Sequence, residues 1–413
     1  MLGPAMMADR WRIALLVLVT LAVHSSAQET DTTSAFTFEL EAGRFGSAFS
    51  ALSANAQGEC DVVFRGRKGV TKGQVRLTGK DLREFDRLVA EARLFKEPIK
   101  PPQPRLHEIV GRLRVQRGAE WREFRIAGHG HTGTLVGWLL RIANEAELLL
   151  KLGQREGLHR VNAAVDPRLV GKRVLHPEAF REPLSRLVSD SDSVTELRVI
   201  VAALSCVTSP EEWSKLMQGR LTANADRRDK LVGVLANHPF PSNAQSSHYE
   251  ALMDLLLQTL RTQYRDSPNL PKSPRMAASA IIRQLGHERY RPAIPDFESM
   301  IDRFSTLERP WRMSALASMG NAAIDPLSRL LDSPKPAVRL AAAGTVERVL
   351  TKNPRYPTSK GERISAEEQA TILKRLREEI APKLRDLAAT DAEPRVRKQA
   401  SEALERVEQG WRR

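Results

Sequence analysis

Hydrophobic positions along this chain follow two periods, and the change between them falls near residue 155. Upstream, the period is two. Phe36, Phe38 and Leu40 alternate with Thr37, Glu39 and Glu41, which predicts a half-buried strand. Val62–Phe64 and Val75–Leu77 predict two more, joined through Gly66–Gly73, while Gly43–Gly58 is rich in small residues and fits neither period. A helix follows, with Asp81 as its cap and Glu84 placed to complete a capping box. Leu82, Phe85, Leu88, Val89, Ala92 and Phe95 form its apolar face. Pro98, Pro101, Pro102 and Pro104 then make a stiff connector. Strands around Leu113 and Val115 and around Trp121, Phe124 and Ile126 lead to a last helix near 135–152. The order β-β-β-α-β-β-α describes a small α+β module over residues 36–153.

Downstream every periodic segment is helical. Ala323–Leu350 is the clearest unit. Leu327, Leu330 and Leu331 form one stripe, and Val338, Ala341, Ala342, Thr345, Val346 and Val349 form a second. Asp325 and Pro326 suit the start of the first helix. Neither helix can bury its stripe alone, so the unit needs neighbours of its own kind. The chain supplies them. Pro183-Leu-Ser-Arg-Leu and Pro326-Leu-Ser-Arg-Leu are identical, and each precedes a turn and an aliphatic-Arg pair, Leu197-Arg198 and Val338-Arg339. Ile294-Pro295 with Trp311-Arg312, and Pro382 with Val396-Arg397, repeat the grammar; Arg275 opens another second helix. This pattern resembles HEAT repeats, which have a Pro in the first helix, an Asp in the turn and an Arg opening the second. The resemblance covers roughly 175–408 and implies an all-α solenoid. It also implies that each Arg bridges to a turn carboxylate of its own or the next unit. Arg198, Arg275, Arg312, Arg339 and Arg397 are then structural, with Asp192, Asp332 and Asp391 as partners. Over 36–150 the first module resembles, in pattern alone, small bacterial modules that include the emfourin-type inhibitors of metalloproteases.

Composition narrows the functional classes. Aromatic residues are only 5% and the apolar content leans on Leu, Ala and Val, which suits packed helices. The formal charge is +14, yet Arg is scattered among Glu and Asp without a dense basic run, which argues against a nucleic-acid groove. Two cysteines, Cys60 and Cys206, exclude a disulfide framework. Met1–Ala27 reads as an export signal: Arg10 and Arg12 precede the apolar run Ile13–Val23, and small residues end at Ala27. The mature protein is therefore expected outside the cytoplasm, without a membrane span.

No catalytic motif is present: there is no Gly-x-Ser-x-Gly, no His-Glu-x-x-His and no Cys-x-x-Cys. His129 and His131 are the one closely spaced histidine pair, a weak metal candidate without a third ligand beside it. No cofactor is indicated. The loop 351–364 carries Lys352, Arg355, Tyr356, Lys360 and Arg363, the composition of a contact loop. The expected function is an exported, non-enzymatic scaffold that binds another protein through its helical array. Alternatives are a protease inhibitor acting through the first module and nucleic-acid binding by a basic concave face.

Overall fold

The computed structural model describes residues 36–44, 49–66, 69–95, 109–127, 133–153, 155, 158–165, 174–237, 246–264, 272–303, 309–352 and 364–410. The export segment, His129, His131, Arg355, Tyr356, Lys360 and Arg363 lie outside them. The chain divides into two compact units, one ending at Asp190 and the other starting at Ser191.

The first unit is built on a six-stranded antiparallel sheet in the order β4-β3-β2-β1-β5-β6. Its strands are β1 (Phe36–Arg44), β2 (Phe49–Ala54), β3 (Glu59–Gly66), β4 (Gly69–Arg76), β5 (Ile109–Arg117) and β6 (Glu120–Ala127). Period-two alternation sets the register: Leu40 lies between Leu52 and Leu113, and Phe38 between Ala54 and Val115. All of these are buried on one face, beneath α1 (Gly79–Glu91) and α2 (Gly133–Gly153). Phe85 of α1 meets Phe38 at 4.7 Å between ring centroids and stacks near Trp138 of α2 at 6.2 Å. Burying each such ring is worth about 1.5–3 kcal/mol. The other face is polar: Glu39 pairs with Arg114 at 3.3 Å and Glu41 with Arg112 at 3.0 Å, opposite charges directly across strands.

Four strands, not three, precede α1. The additional one, β2, falls in the small-residue stretch that matched no period, and only Leu52 and Ala54 mark its inner face. The cap of α1 also differs from expectation. Thr78 is the N-cap and Asp81 closes the capping box. Beyond the expected module end at 153, α3 (Leu158–Val165), a short 3-10 turn (Pro177–Phe180) and α4 (Arg181–Asp190) belong to the first unit.

The second unit is all helix: α5 (Val194–Val207), α6 (Pro210–Ala223), α7 (Ala225–Asn237), α8 (Ser246–Gln263), α9 (Lys272–His287), α10 (Ile294–Arg303), α11 (Arg309–Ser318), α12 (Ile324–Leu331), α13 (Pro336–Lys352), α14 (Ala366–Arg375), α15 (Ala381–Thr390) and α16 (Pro394–Gln409). A π turn at Leu376–Ile380 joins α14 to α15. Consecutive helices pack together as α6/α7, α8/α9, α10/α11, α12/α13 and α15/α16. Helix α5 packs on α7, and the second members stack in sequence, α7 on α9, α9 on α11, α11 on α13 and α13 on α16. This is the nearest-neighbour packing of a helical repeat, in which each apolar stripe is covered by the adjacent pair. At Gly286 the approach is so close that an added Cβ would lie 2.5 Å from Ala315 Cα of α11.

Hydrogen bonds between neighbouring pairs carry the repeat length. Arg227 to Asp192, Tyr264 to Asp229, Arg228 to Gln263 and Arg261 to Asp296 each span 35 residues, and Arg348 to Ser314 spans 34. For pairs on either side of residues 353–363 the separation is larger, 50 for Arg375–Asp325 and 52 for Arg339–Asp391.

Candidate functional site

Polar groups converge at one place in the first unit. His176 follows the 166–173 segment and sits between two carboxylates. Its Nδ1–H donates to Glu145 Oε1 at 2.8 Å and its Nε2–H to Asp81 Oδ1 at 2.9 Å. Glu145 Oε2 accepts the backbone N–H groups of Leu175 and His176 at 2.8 and 3.0 Å. Asp81 Oδ2 accepts from the Thr78 N–H and hydroxyl at 2.8 and 2.7 Å. Both carboxylates are buried.

Burial alone would lower the imidazole pKa, but bonds to Asp81 and Glu145 and their charges outweigh it and push His176 up to about 10. Burial likewise raises the Asp81 carboxyl, and the bonds from His176 and Thr78 overcome it, holding Asp81 below its usual value. The ring is thus an imidazolium with both N–H groups committed, and no lone pair is left to act as a general base. The Thr78 hydroxyl is turned to Asp81, away from the ring. Cys60, whose thiol burial pushes far up, is a protonated core residue. A pocket of about 70 Å³ opens onto the clamp: Thr78, Asp81, Glu145 and His176 line it together with apolar residues that include Leu77, Ile142 and Leu149. The arrangement ties His176 to both helices that cover the sheet; its chemistry is that of a clamp.

The second candidate is the exposed face of the second-helix layer. Exposed or half-buried residues recur at helical spacing on these helices: Arg198 and Ala202 on α5, Lys230 and Gly233 on α7, Met276, Ser279 and Arg283 on α9, Ser314 and Ser318 on α11, Leu340, Gly344 and Arg348 on α13. Contacts knit this face across helices. Arg283 donates to Asn237 Oδ1, Arg348 to Ser314 Oγ at 2.9 Å, and Arg406 approaches Glu347 at 3.6 Å. Met276 is 64% exposed at its edge.

No protein-family model and no curated protein matches this chain. Similar solved structures include two engineered proteins determined as structural-genomics targets. One is 16% identical, covering 62% of this chain and 98% of its own, with a TM-score of 0.30. The other is 14% identical over 62% and 100%, with a TM-score of 0.29. A set of computationally designed armadillo repeat proteins for modular peptide recognition matches at 17% identity over 60% and 99%, with a TM-score of 0.28. At these scores the repeat architecture rests on the helix stacking and bond spacing within the chain itself.

The arginines expected to be structural occupy different settings. Arg339 forms a two-pronged pair with Asp391, Nε–Oδ2 2.6 Å and Nη2–Oδ1 2.9 Å, and reaches the Ser333 carbonyl at 2.8 Å. Arg397 donates to the Asp391 carbonyl at 2.6 Å. Arg312 is buried within α11. Asp332 meets Lys383, and Asp192 meets Arg227 at 3.0 Å, so neither is matched to the arginine of its own turn. Arg198 and Arg275 are exposed. At the N-terminus of α5, Ser191 and Ser193 hold Glu196, and the Asp192 carboxylate is taken by Arg227 of α7. Asp325, expected as a cap of α12, pairs with Arg375 at 2.5 Å instead. Lys352 ends α13. Among the described residues no group of His, Cys, Asp and Glu could hold a metal, and no helix is long and apolar enough to cross a membrane. Neither Cys60 nor Cys206 is in a disulfide.

The clamp was not visible in the sequence. Asp81 and His176 are 95 residues apart and Glu145 is 31 from His176, with no spacing rule linking them. The only local signal was Thr78-x-x-Asp81, a capping-box pattern one turn earlier than expected.

Proposed function

We propose that this protein is an exported, non-enzymatic scaffold whose HEAT-like helical array binds a segment of another protein across its second-helix face. One observation carries the reading. Helix α5 and the second helices α7, α9, α11, α13 and α16 stack in order, and polar side chains bridge α7 to α9, α11 to α13 and α13 to α16. A surface of this kind offers a long contact track without chemistry of its own. The clamp in the first unit supports the non-enzymatic side, because its groups are satisfied by one another. Export rests on the Met1–Ala27 pattern.

The test is capture with the full chain as bait from an exported fraction, repeated with a charge-reversed second-helix face, Arg283→Glu, and with a first-helix control, Arg329→Glu. A partner retained by wild type and by the control, and lost by Arg283→Glu, is the expected result. Retention unaffected by Arg283→Glu, or empty eluates at micromolar bait, contradicts the proposal.

A further inference from the structure

The clamp of the first unit is saturated in donors and open in acceptors. His176 spends both ring N–H groups, and Thr78 its hydroxyl proton, on Asp81 and Glu145. Glu145 Oε2 and Asp81 Oδ2 each accept two hydrogen bonds. Glu145 Oε1 and Asp81 Oδ1 each accept one, from the ring. An ionised carboxylate oxygen has room for a second donor. Charge is unbalanced in the same direction: two buried carboxylates flank one imidazolium, which leaves one negative charge in excess. A buried charge of this kind is costly until it is paired. Both carboxylates line the pocket of about 70 Å³, and Leu77, Ile142, Ala146 and Leu149, all buried, give that pocket an apolar wall. The other charged lining residues, Arg76 and Glu178, are exposed and opposite in sign.

We infer that this pocket binds an alkylammonium group, with the ammonium on the open acceptor positions of the clamp and the aliphatic stem against the apolar wall. The site lies within the first unit and does not depend on what the helical array binds. Its polarity matches a small-molecule pocket, mostly apolar with a few convergent polar groups. At about 10–15 Å³ for each water-sized position, it holds roughly five to seven such positions. A straight-chain amine of about five carbons, or a lysine side chain, fits that length. An anion is not matched, because the donors of His176 and Thr78 are already committed. A hard metal ion needs several oxygen ligands, and among the described residues no group of His, Cys, Asp and Glu could hold one. The ammonium can come from a free amine or from a lysine of a partner protein; the chemistry recognised is the same.

Saturation-transfer NMR on the full chain tests the pocket with n-pentylamine, 1-pentanol and pentanoate. Pentylamine is expected to bind in the millimolar range, at least about tenfold more tightly than pentanol, and pentanoate is expected to give no signal. Shortening the amine should weaken binding about fourfold for each methylene removed. Ala179→Leu and Leu149→Phe each enlarge a lining side chain and leave the clamp side chains in place; in either variant that keeps a cooperative melt, the pentylamine signal should disappear. Pentanol binding as tightly as pentylamine overturns the inference, as does a pentylamine signal that survives in a folded filled variant, or no pentylamine signal at all. The last arm separates the sources. Competition by Nα-acetyl-lysine methylamide, absent for its Nε-acetylated form, supports a protein lysine; pentylamine binding without that competition supports a free amine.

Discussion

Replacing Arg339 by Ala tests how the array is held together. Asp391 is buried, and its side chain is 1% exposed; Arg339 meets it through two parallel bonds and anchors to Ser333 through a third. The substitution leaves a buried carboxylate stabilised by the Glu393 N–H, at 2.9 Å, and by the charge of nearby Arg397. Breaking a buried pair from one side costs about 3–5 kcal/mol. Arg339 keeps 15% of its side chain exposed, which admits some water, so the low end, about 3 kcal/mol, applies. For a unit of this size each kcal/mol shifts Tm by about 2–4 °C. Calorimetry of the full chain should show the array transition lowered by roughly 6–12 °C. Removing the carboxylate as well, Arg339→Ala with Asp391→Ala, should restore part of the loss. The effect has a pH signature. Arg339 holds the Asp391 carboxyl below its ordinary 3.8. A depressed carboxyl contributes stability above its unfolded value and loses it as pH falls through the folded one. The gap between wild type and variant should therefore be full at neutral pH and close in acid. A fall of about 2 °C or less at pH 7, as for a solvated surface pair, would refute the reasoning.

Further predictions concern the clamp, one close helix contact and one thiol. His176 is raised from 6.5 to about 10, so its contribution is fully present below pH 6.5 and fades as pH rises to about 10. Asp81, depressed, is lost only below its ordinary 3.8. The first unit should lose stability by about 1.4 kcal/mol per pH unit across the alkaline part of that window, and His176→Gln should flatten the slope in melts at pH 6 and pH 9. Gly286→Ala places a methyl against Ala315 Cα at 2.5 Å, where both atoms belong to rigid helices. It should cost about 1–3 kcal/mol, read as a lower melting temperature; an unchanged melt would mean that α9 and α11 are not in close contact. Cys60 should resist a disulfide exchange reagent in the native protein and react once it is unfolded, because it is buried and its thiol is pushed up; rapid native labelling of Cys60 would contradict its core position.

The parts of this fold that were legible in sequence are those dictated by local period. The alternation of Phe36–Leu40 and the stripes of 323–350 are nearest-neighbour properties, and each recurs as a strand or helix. Strand β2 was illegible because Ala51, Ser53 and Ala54 carry too little hydrophobic contrast to mark two faces, and its register is set by β1 and β3. The repeat was visible in Pro and Arg positions, whereas the charge partners were not. Asp192 with Arg227 and Asp332 with Lys383 depend on how far each neighbouring pair is rotated, which single-unit patterns do not encode. The clamp illustrates the same limit at longer range. His176 carries no local motif, and its role arises only when α1, α2 and the turn before α4 converge.

Hydrogen exchange on the full chain, with and without a captured partner protein, tests the central claim most directly. Protection on α5, α7 and α9, with the sheet unit and the first-helix layer unchanged, is the predicted result. Protection confined to residues 36–190, with the second helices unaltered, would contradict it.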